Sequence, residues 1–590
     1  MKELLSLNKF LWKYRWELIA GFIMIILSNL VSIFSINYVG NAIDGIESLL
    51  SQYTNGSETE LSDVKKGLMH AALLFIGLKV LAGLLLVGVR LMIIATSRHI
   101  EYDLKNDIYE HYQKLSLSFY KKNKTGDLMN RITEDVAFVR QYLGPGIMYP
   151  MDLISRAAII LAFMINIDPL LTLYTLGPLP ILSFLIYKVA STINKKSTEV
   201  QKQQSEISSI VQDTFSGIRV IKSFNTEKST QENYAKEAGI YEKKALSLAQ
   251  TEAFFFPLMV LIVGISNLLI LYMGGVRYAE GKLSIGVIAQ FFMYLNMLIW
   301  PFTSLGWVTM LIQRAEASMA RINEFLKQKP EIQNSVEHPT PVSGKIEFKN
   351  VSYTYKNTGI QALKDVSFTV ERGQSLAIMG KTGSGKSTIV LLLARLLQPT
   401  SGQILIDGIP YEDLNLTSLR EAIGFVPQEA FLFSDTIQHN ILFGTDSDRN
   451  LEDAKKYAKK AAVHQNIEGF KDRYDTILGE RGVTLSGGQK QRISIARALI
   501  KEPQILVFDD SLSAVDTETE EEILRNLKSE MDQKTTLIVT HRISSAKNAD
   551  KVLVLEDGKV MEYGSHAGLI NKEGVYFSLV KKQLMETENL

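Results

Sequence analysis

The chain has 590 residues, so a single small domain is excluded at the usual ~150 residues per domain. Lys plus Arg (64) balances Asp plus Glu (63), and residues are 46% hydrophobic and 22% charged; nucleic-acid binding by bulk charge and wholesale disorder are both excluded. There is no cysteine, which removes disulfides, thiolate metal sites, iron–sulfur clusters and cysteine nucleophiles but leaves the compartment open.

The first half reads as a membrane domain. Lys2, Lys9, Lys13 and Arg15 alternate with Phe10, Trp12, Tyr14 and Trp16, a mixture that predicts an interfacial helix on the inner leaflet. The apolar run behind it is too long for a signal peptide. Leu18–Ile36 and Pro169–Tyr187 are each uncharged for 19 residues, Ala253–Val276 for 24 and Leu283–Gln313 for 31. About 20 mostly apolar residues cross a bilayer as a helix. Leu68–Val89 carries only Lys79, and Ile147–Ile167 only Asp152 and Arg156, spaced to pair within a helix. Six spans are expected before residue 325.

Residues 38–64 hold five acids and no Lys or Arg, whereas residues 188–252 hold ten Lys or Arg. The first loop is therefore expected outside and the second inside, with the N-terminus inside. About 40 to 60 polar residues separate spans two and three, and spans four and five, on the inner side. Leu104, Ile108 and Leu115 keep a helical period in one stretch; Ile207, Ile210, Val211 and Ile218 do so in the other. The helices are expected to continue far below the membrane. Each pair breaks in its middle, near Lys121–Gly126 and Phe215–Ile221, at turns placed to touch something there.

Spans five and six carry Phe254, Phe255, Phe256, Phe291, Phe292, Met293, Tyr294, Met297 and Trp300. Such side chains suit flat, apolar or cationic ligands, and equally suit lipid contact and helix packing. Glu252 is placed to meet a cation or to cap a helix. None of these names a cargo.

Residues 326–344 read as a linker interrupted by Pro330, Pro339 and Pro341. Strand-like alternation follows over Ile346–Tyr355 and Leu363–Val370. The apolar run Ser375–Met379 leads into Gly380, Lys381, Thr382, Gly383, Ser384, Gly385, Lys386, Ser387 and Thr388, and then into the apolar helix Ile389–Leu397. This is a phosphate loop in its strand–loop–helix setting. Its backbone amides face phosphates, Lys386 reaches the β- and γ-phosphates, Ser387 ligates Mg²⁺, and the helix start adds its positive end. Ile505–Asp509 is a buried strand ending in a carboxylate, as a second Mg²⁺ anchor should be. Between them, Leu485, Ser486, Gly487, Gly488 and Gln489 open the helical run Lys490–Leu499, a second anion site. One nucleotide needs one phosphate loop, so the second site is expected to serve another copy's ATP.

Leu485–Gln489 is identical to the signature motif of ABC ATPases. With six spans ahead of it, essentially the whole chain resembles an ABC exporter half-transporter. That resemblance implies a multi-domain fold. An all-α polytopic membrane domain of the type I exporter kind (1–325) is followed by the linker and an α/β P-loop ATPase domain (345–590). It further implies that Tyr355 stacks on adenine, that Gln428 is the Q-loop residue near Mg²⁺, and that Ser513, Ala514, Val515 and Asp516 form the D-loop. His541 becomes the switch histidine sensing the γ-phosphate. Gly479–Gly482 becomes a segment coupling to the membrane domain, and the breaks near residues 121 and 218 become coupling helices.

One position departs from the pattern. Hydrolytic members carry Glu after the strand-end Asp; this chain has Asp509 followed by Asp510. Losing one methylene moves the carboxylate by more than the tolerance of a general base, about 2.6–3.2 Å from its proton; a backbone adjustment that keeps Asp510 working is the alternative. In the family, a half bearing Asp here is often paired with a partner half bearing Glu. The chain most resembles the Asp-bearing subunit of a bacterial heterodimeric multidrug exporter. The expected function is ATP-driven, Mg²⁺-dependent export of amphipathic drugs or lipids across the cell membrane by such a pair, with the ATPase domain cytoplasmic and no nucleic-acid partner. The alternatives are a homodimeric exporter of lipids, lipid-linked precursors or peptides, and an ATP-binding regulatory subunit without turnover of its own.

Overall fold

The computed structural model describes residues 2–54, 61–445, 449–479, 482, 485–511, 517–531 and 533–588. The predicted D-loop, Ser513–Asp516, and Glu480 and Arg481 of the predicted coupling segment lie outside the described residues, as do the side chains of Phe255, Phe256 and Trp300. Two compact units form: Met1–Tyr112 with Gly126–Lys327, and Gln113–Thr125 with Gln328–Leu590.

Every element of the first unit is helical. The six apolar runs fall on the helices Arg15–Thr54, Leu61–Val89, Ile147–Ile167, the pair Pro169–Leu176 and Pro178–Ser216, Glu227–Ala279, and Ile285–Leu326, the last beginning two residues into its run. Among the described residues, four helical stretches are long and apolar enough to cross a membrane: Arg15–Leu49, Lys65–Lys114, Thr125–Ile167 and Glu227–Ala279. The fourth run is divided at Gly177–Pro178, where proline removes an amide donor. The connection before it is tight because Asp168, in extended conformation, caps the next helix through Leu171 N at 2.8 Å while Pro169 sets the first turn. Arg277 pairs with the same carboxylate at 2.6 Å.

The helices continue well beyond bilayer thickness. Glu227–Ala279 has 53 residues, about 80 Å at 1.5 Å per residue. The N-terminal segment Asn8–Lys13 is helical and is held by Lys9–Asp107 and Lys13–Asp103 pairs, at 2.7 and 2.6 Å, with Trp12 and Trp16 exposed. Ile33, Ile36, Ile160, Met164, Leu171, Phe291 and Tyr294 share one buried cluster. Near it two helices cross so closely that a Cβ on Gly286 would lie 2.1 Å from Gly40 O. The Asp44 carboxylate accepts from Ser284 Oγ (2.7 Å) and Gly286 N (2.6 Å) there.

Among the described residues the second unit contains ten strands: β1 Ile346–Thr354, β2 Gln361–Val370, β3 Ser375–Gly380, β4 Ser401–Ile406, β5 Ile409–Pro410, β6 Ile423–Val426, β7 Ile505–Asp509, β8 Thr535–Val539, β9 Lys551–Glu556 and β10 Lys559–Gly564. An antiparallel sheet runs β2-β1-β4-β5 and a mostly parallel one β10-β9-β3-β8-β7-β6. β3, β7 and β8 are buried at every residue, as expected for parallel strands covered on both faces. Their order decides the site: the C-terminal ends of β3, β8, β7 and β6 stand side by side, where open α/β sheets hold ligands.

The short helix Leu117–Lys122 belongs to this second unit. Ser116 Oγ accepts from Ile332 N at 3.1 Å, and Ser118 Oγ donates to Glu331 at 2.6 Å. The Ser118 hydroxyl, and Lys356 beyond it, hold the Glu331 carboxyl below its usual range.

Candidate active site

Gly380 ends β3 and the loop to Thr388 wraps the start of the helix Lys386–Leu393. Gly385 has φ +103°, and a Cβ there would sit 2.4 Å from Ala362 O, so only glycine fits. Lys386 is buried and turns its ammonium back to Gly380 O and Lys381 O, both at 2.9 Å. Burial pulls this ammonium below the ordinary lysine value, while Asp510 and then Asp509 oppose that. Ser384 Oγ is buried with no hydrogen-bond partner among the described residues, a donor awaiting an acceptor inside the loop. Lys381, by contrast, points out to Glu556 at 2.7 Å.

Asp509 ends β7, one strand from β8 and two from β3. Its Oδ1 accepts from Ser387 Oγ at 2.8 Å. Burial holds the carboxyl above its usual range; the Ser387 hydroxyl counteracts this and Asp510 reinforces it. A hydroxyl and a carboxylate side by side beneath a phosphate cradle are hard oxygen donors that suit Mg²⁺, which keeps several waters and phosphate ligands of its own. Ser387 and Asp509 would hold it.

Asp510 follows at φ +47°, left-handed backbone that Asp tolerates better than most side chains, pinned by Asp510 N donating to Val539 O at 3.0 Å. Gln428, two residues past β6, donates Nε2 to Asp510 Oδ2 at 3.4 Å. His541 follows β8; burial, and Lys386 after it, lower its pKa and favour the neutral imidazole, while Asp510 opposes them. Phosphate loop, Asp509, Asp510, Gln428 and His541 thus converge on one strand-end shelf.

Tyr355 stands just past β1, with its hydroxyl 3.2 Å from Thr388 Oγ1, so its ring lies beside the phosphate loop. Tyr353 meets it edge-on at 4.9 Å, and Lys121 of the short helix lies 5.6 Å from the Tyr355 ring centre. In the helix Gly487–Leu499, Ser486 is the N-cap, locked reciprocally with Gln489 (Gln489 N to Ser486 Oγ 3.3 Å, Ser486 N to Gln489 Oε1 3.0 Å). Leu485 is buried, whereas Ser486 and Gly487 are exposed. This helix start faces outward.

Sequence reasoning overlooked three groups. Gln491, buried on the signature helix, donates to Gln428 O at 3.3 Å and ties that helix to the Q-loop. Glu520 is fully buried against Arg542, the neighbour of His541. Glu331 joins the Leu117–Lys122 helix to Lys356. A polar residue on the apolar face of a helix was a legible signal for Gln491; the other two depend on long-range packing.

Comparison with known proteins agrees with this geometry. Residues 18–302 match the family described as ABC transporter transmembrane region, and residues 363–513 that described as ABC transporter. The chain is 38% identical over 489 residues to the uncharacterized ABC transporter ATP-binding protein YknU of Bacillus subtilis (82% of this chain, 83% of that one). It is 34% identical to the multidrug resistance-like ATP-binding protein MdlA of Escherichia coli (84% of each). It is 36% identical to the ATP-dependent lipid A-core flippase of Syntrophus aciditrophicus (82% and 80%). A solved bacterial Atm1-family ABC exporter with ATP bound superposes with a TM-score of 0.76 at 28% identity, covering 96% of this chain and 98% of that one.

Proposed function

Because the chain belongs to the ABC transporter family, as an exporter-type membrane ATPase, we propose that it moves amphipathic drugs or lipids outward as one half of a two-chain transporter. In this reading the other half carries Glu where this chain has Asp510, and the chain's own ATP site turns over slowly. The carrying observation is Asp510 itself: just past the end of β7, its backbone is pinned to Val539 of β8, and its short side chain is engaged by Gln428. Relatives named for multidrug resistance and for a lipid flippase support the substrate class.

The outward-facing signature, with Ser486 and Gly487 exposed at a helix start, supports a second chain whose ATP it would meet. The helix Ile218–Phe224 points the same way. Phe215, Val220 and Phe224 are 72%, 60% and 73% exposed in a segment far from the apolar runs, a patch suited to a partner's ATPase domain. The roles follow. Tyr355 packs on adenine; the loop amides, Ser384 and Lys386 hold the phosphates. Ser387 and Asp509 would hold Mg²⁺, which would supply charge neutralisation for the phosphates. Gln428 and Asp510 orient the attacking water, and neutral His541 donates toward the γ-phosphate. The ATPase domain lies on the cytoplasmic side of the cell membrane, with the lysine-rich inner loops.

The flippase relative favours a second reading, a homodimer exporting lipids. Steady-state ATP turnover in proteoliposomes separates the two. The heterodimer reading expects near-basal turnover for the chain alone and drug- or lipid-stimulated turnover on adding a Glu-bearing half. Full stimulated turnover by the chain alone overturns it.

A further inference from the structure

The six apolar runs contain three charged side chains, Lys79, Asp152 and Arg156. The fold gathers all three on one face of the helix Arg15–Thr54. Asn29, buried there, donates to Asp152 Oδ1 at 3.0 Å and to Ser155 Oγ at 2.8 Å. One turn on, Ser32 receives Lys79 at both its carbonyl (3.2 Å) and its hydroxyl (3.1 Å). Arg156 Nη2 pairs with Asp152 Oδ1 at 3.1 Å. Lys79 and Arg156 lie near the middle of their runs, with Asp152 one turn before Arg156, so the two cations sit at mid-bilayer depth.

The charges do not balance. Two cations and one carboxylate meet this helix, and Arg156 and Asn29 already engage the carboxylate. Lys79 meets neutral oxygens and the Phe75 ring at 5.4 Å, and is repelled by Arg156. Arg156 Nε is buried without a hydrogen-bond partner among the described residues, while the side chain as a whole is 26% exposed. Charges in hydrocarbon are normally paired or face a pathway. No second acid stands in any of the six runs.

We infer that Lys79 and Arg156 form a mid-membrane site for the anionic head group of an amphiphile, with Asn29, Ser32 and Asp152 holding the two cations apart. The apolar helices around the cluster take the ligand's hydrocarbon part. This rests on the export reading above and narrows its substrate class to anionic amphiphiles.

The test uses the full-length chain in phosphatidylcholine nanodiscs, with the Glu-bearing half where turnover is measured. Binding of NBD-labelled phosphatidylglycerol, NBD-labelled phosphatidylcholine and the cation rhodamine 6G is titrated by fluorescence, independently of ATP turnover. The wild type binds the phosphatidylglycerol probe more tightly than the phosphatidylcholine probe. Lys79→Gln and Arg156→Gln each raise the half-saturating concentration of the anionic probe about tenfold or more, leaving the other two unchanged. Lys79→Arg restores anionic binding, and Asp152→Asn, which removes the only acid, tightens it. Equal affinity of the wild type for the two lipid probes overturns the inference, as does equal weakening of all three probes by Lys79→Gln. Stimulation of ATP turnover by rhodamine 6G alongside such a result leaves export standing; absence of stimulation by any probe sinks export itself.

Discussion

Ser387 Oγ donates to Asp509 Oδ1 at 2.8 Å, joining residues 122 positions apart beneath the phosphate loop. Burial leaves that carboxyl above its usual range. Its charged form is therefore disfavoured in the fold. The stability it contributes is present below the ordinary aspartate value and is lost as pH rises through the raised one. At pH 7, Asp509→Asn should raise the unfolding midpoint of the nucleotide-free full-length protein, by about 2–4 °C per kcal/mol relieved in a unit of this size. The same variant should lose Mg²⁺-dependent ATP turnover. A lower midpoint by scanning calorimetry would show that ionised Asp509 stabilises the domain.

Lys386→Ala should weaken ATP labelling of this chain at least tenfold, since it removes a charge-assisted hydrogen bond to phosphate, worth about 1.5–3 kcal/mol. The ammonium also closes the loop through Gly380 O and Lys381 O, so Lys386→Met, without either role, should behave alike. Unchanged photolabelling with an azido-ATP would remove the lysine from the site.

Tyr355→Ala should weaken nucleotide affinity by about 1–3 kcal/mol, the scale of base–aromatic stacking. Tyr353 pairs with Leu363 within the β1–β2 ladder and supports Tyr355 edge-on, so Tyr353→Ala should cost less. Calorimetric titration showing the reverse order would move the adenine platform by two residues.

The two ATP sites of the proposed pair should be unequal. Gly487→Asp places a carboxylate on the exposed helix start against the partner's γ-phosphate, and should nearly abolish turnover. Asp510→Ala should cost much less. Asp510→Glu adds the missing methylene and should raise turnover about tenfold or more, because a well-placed base is worth about 10²–10⁴ in rate. Vigorous turnover by this chain alone, lost on Asp510→Ala, would make Asp510 a working base.

Charged or proline substitutions across Phe215–Ile221, or Phe224→Glu, should uncouple transport from ATP turnover while nucleotide affinity stays within about twofold; a weaker change than that is below ~0.4 kcal/mol. Full transport in vesicles by such variants would end the coupling role given to this segment.

The motifs of the candidate ATP site were legible in the sequence because each is local. The phosphate loop, the strand-end Asp509 and the Leu485–Gln489 helix start declare themselves through glycine placement, an apolar run and a cap within a few residues. The six apolar runs were equally plain, since bilayer thickness imposes a length on them. Tertiary structure decided what is near what. Only the order β3-β8-β7-β6 sets Lys386, His541, Asp510 and Gln428 on one shelf. Only packing assigns Gln113–Thr125 to the second unit, buries Glu520 on Arg542, and brings Lys79 and Asp152 to Ser32 and Asn29 of one helix. Hydropathy and motif spacing report a residue's local surroundings. Strand order and helix crossing join positions tens to hundreds of residues apart, and no local pattern encodes them.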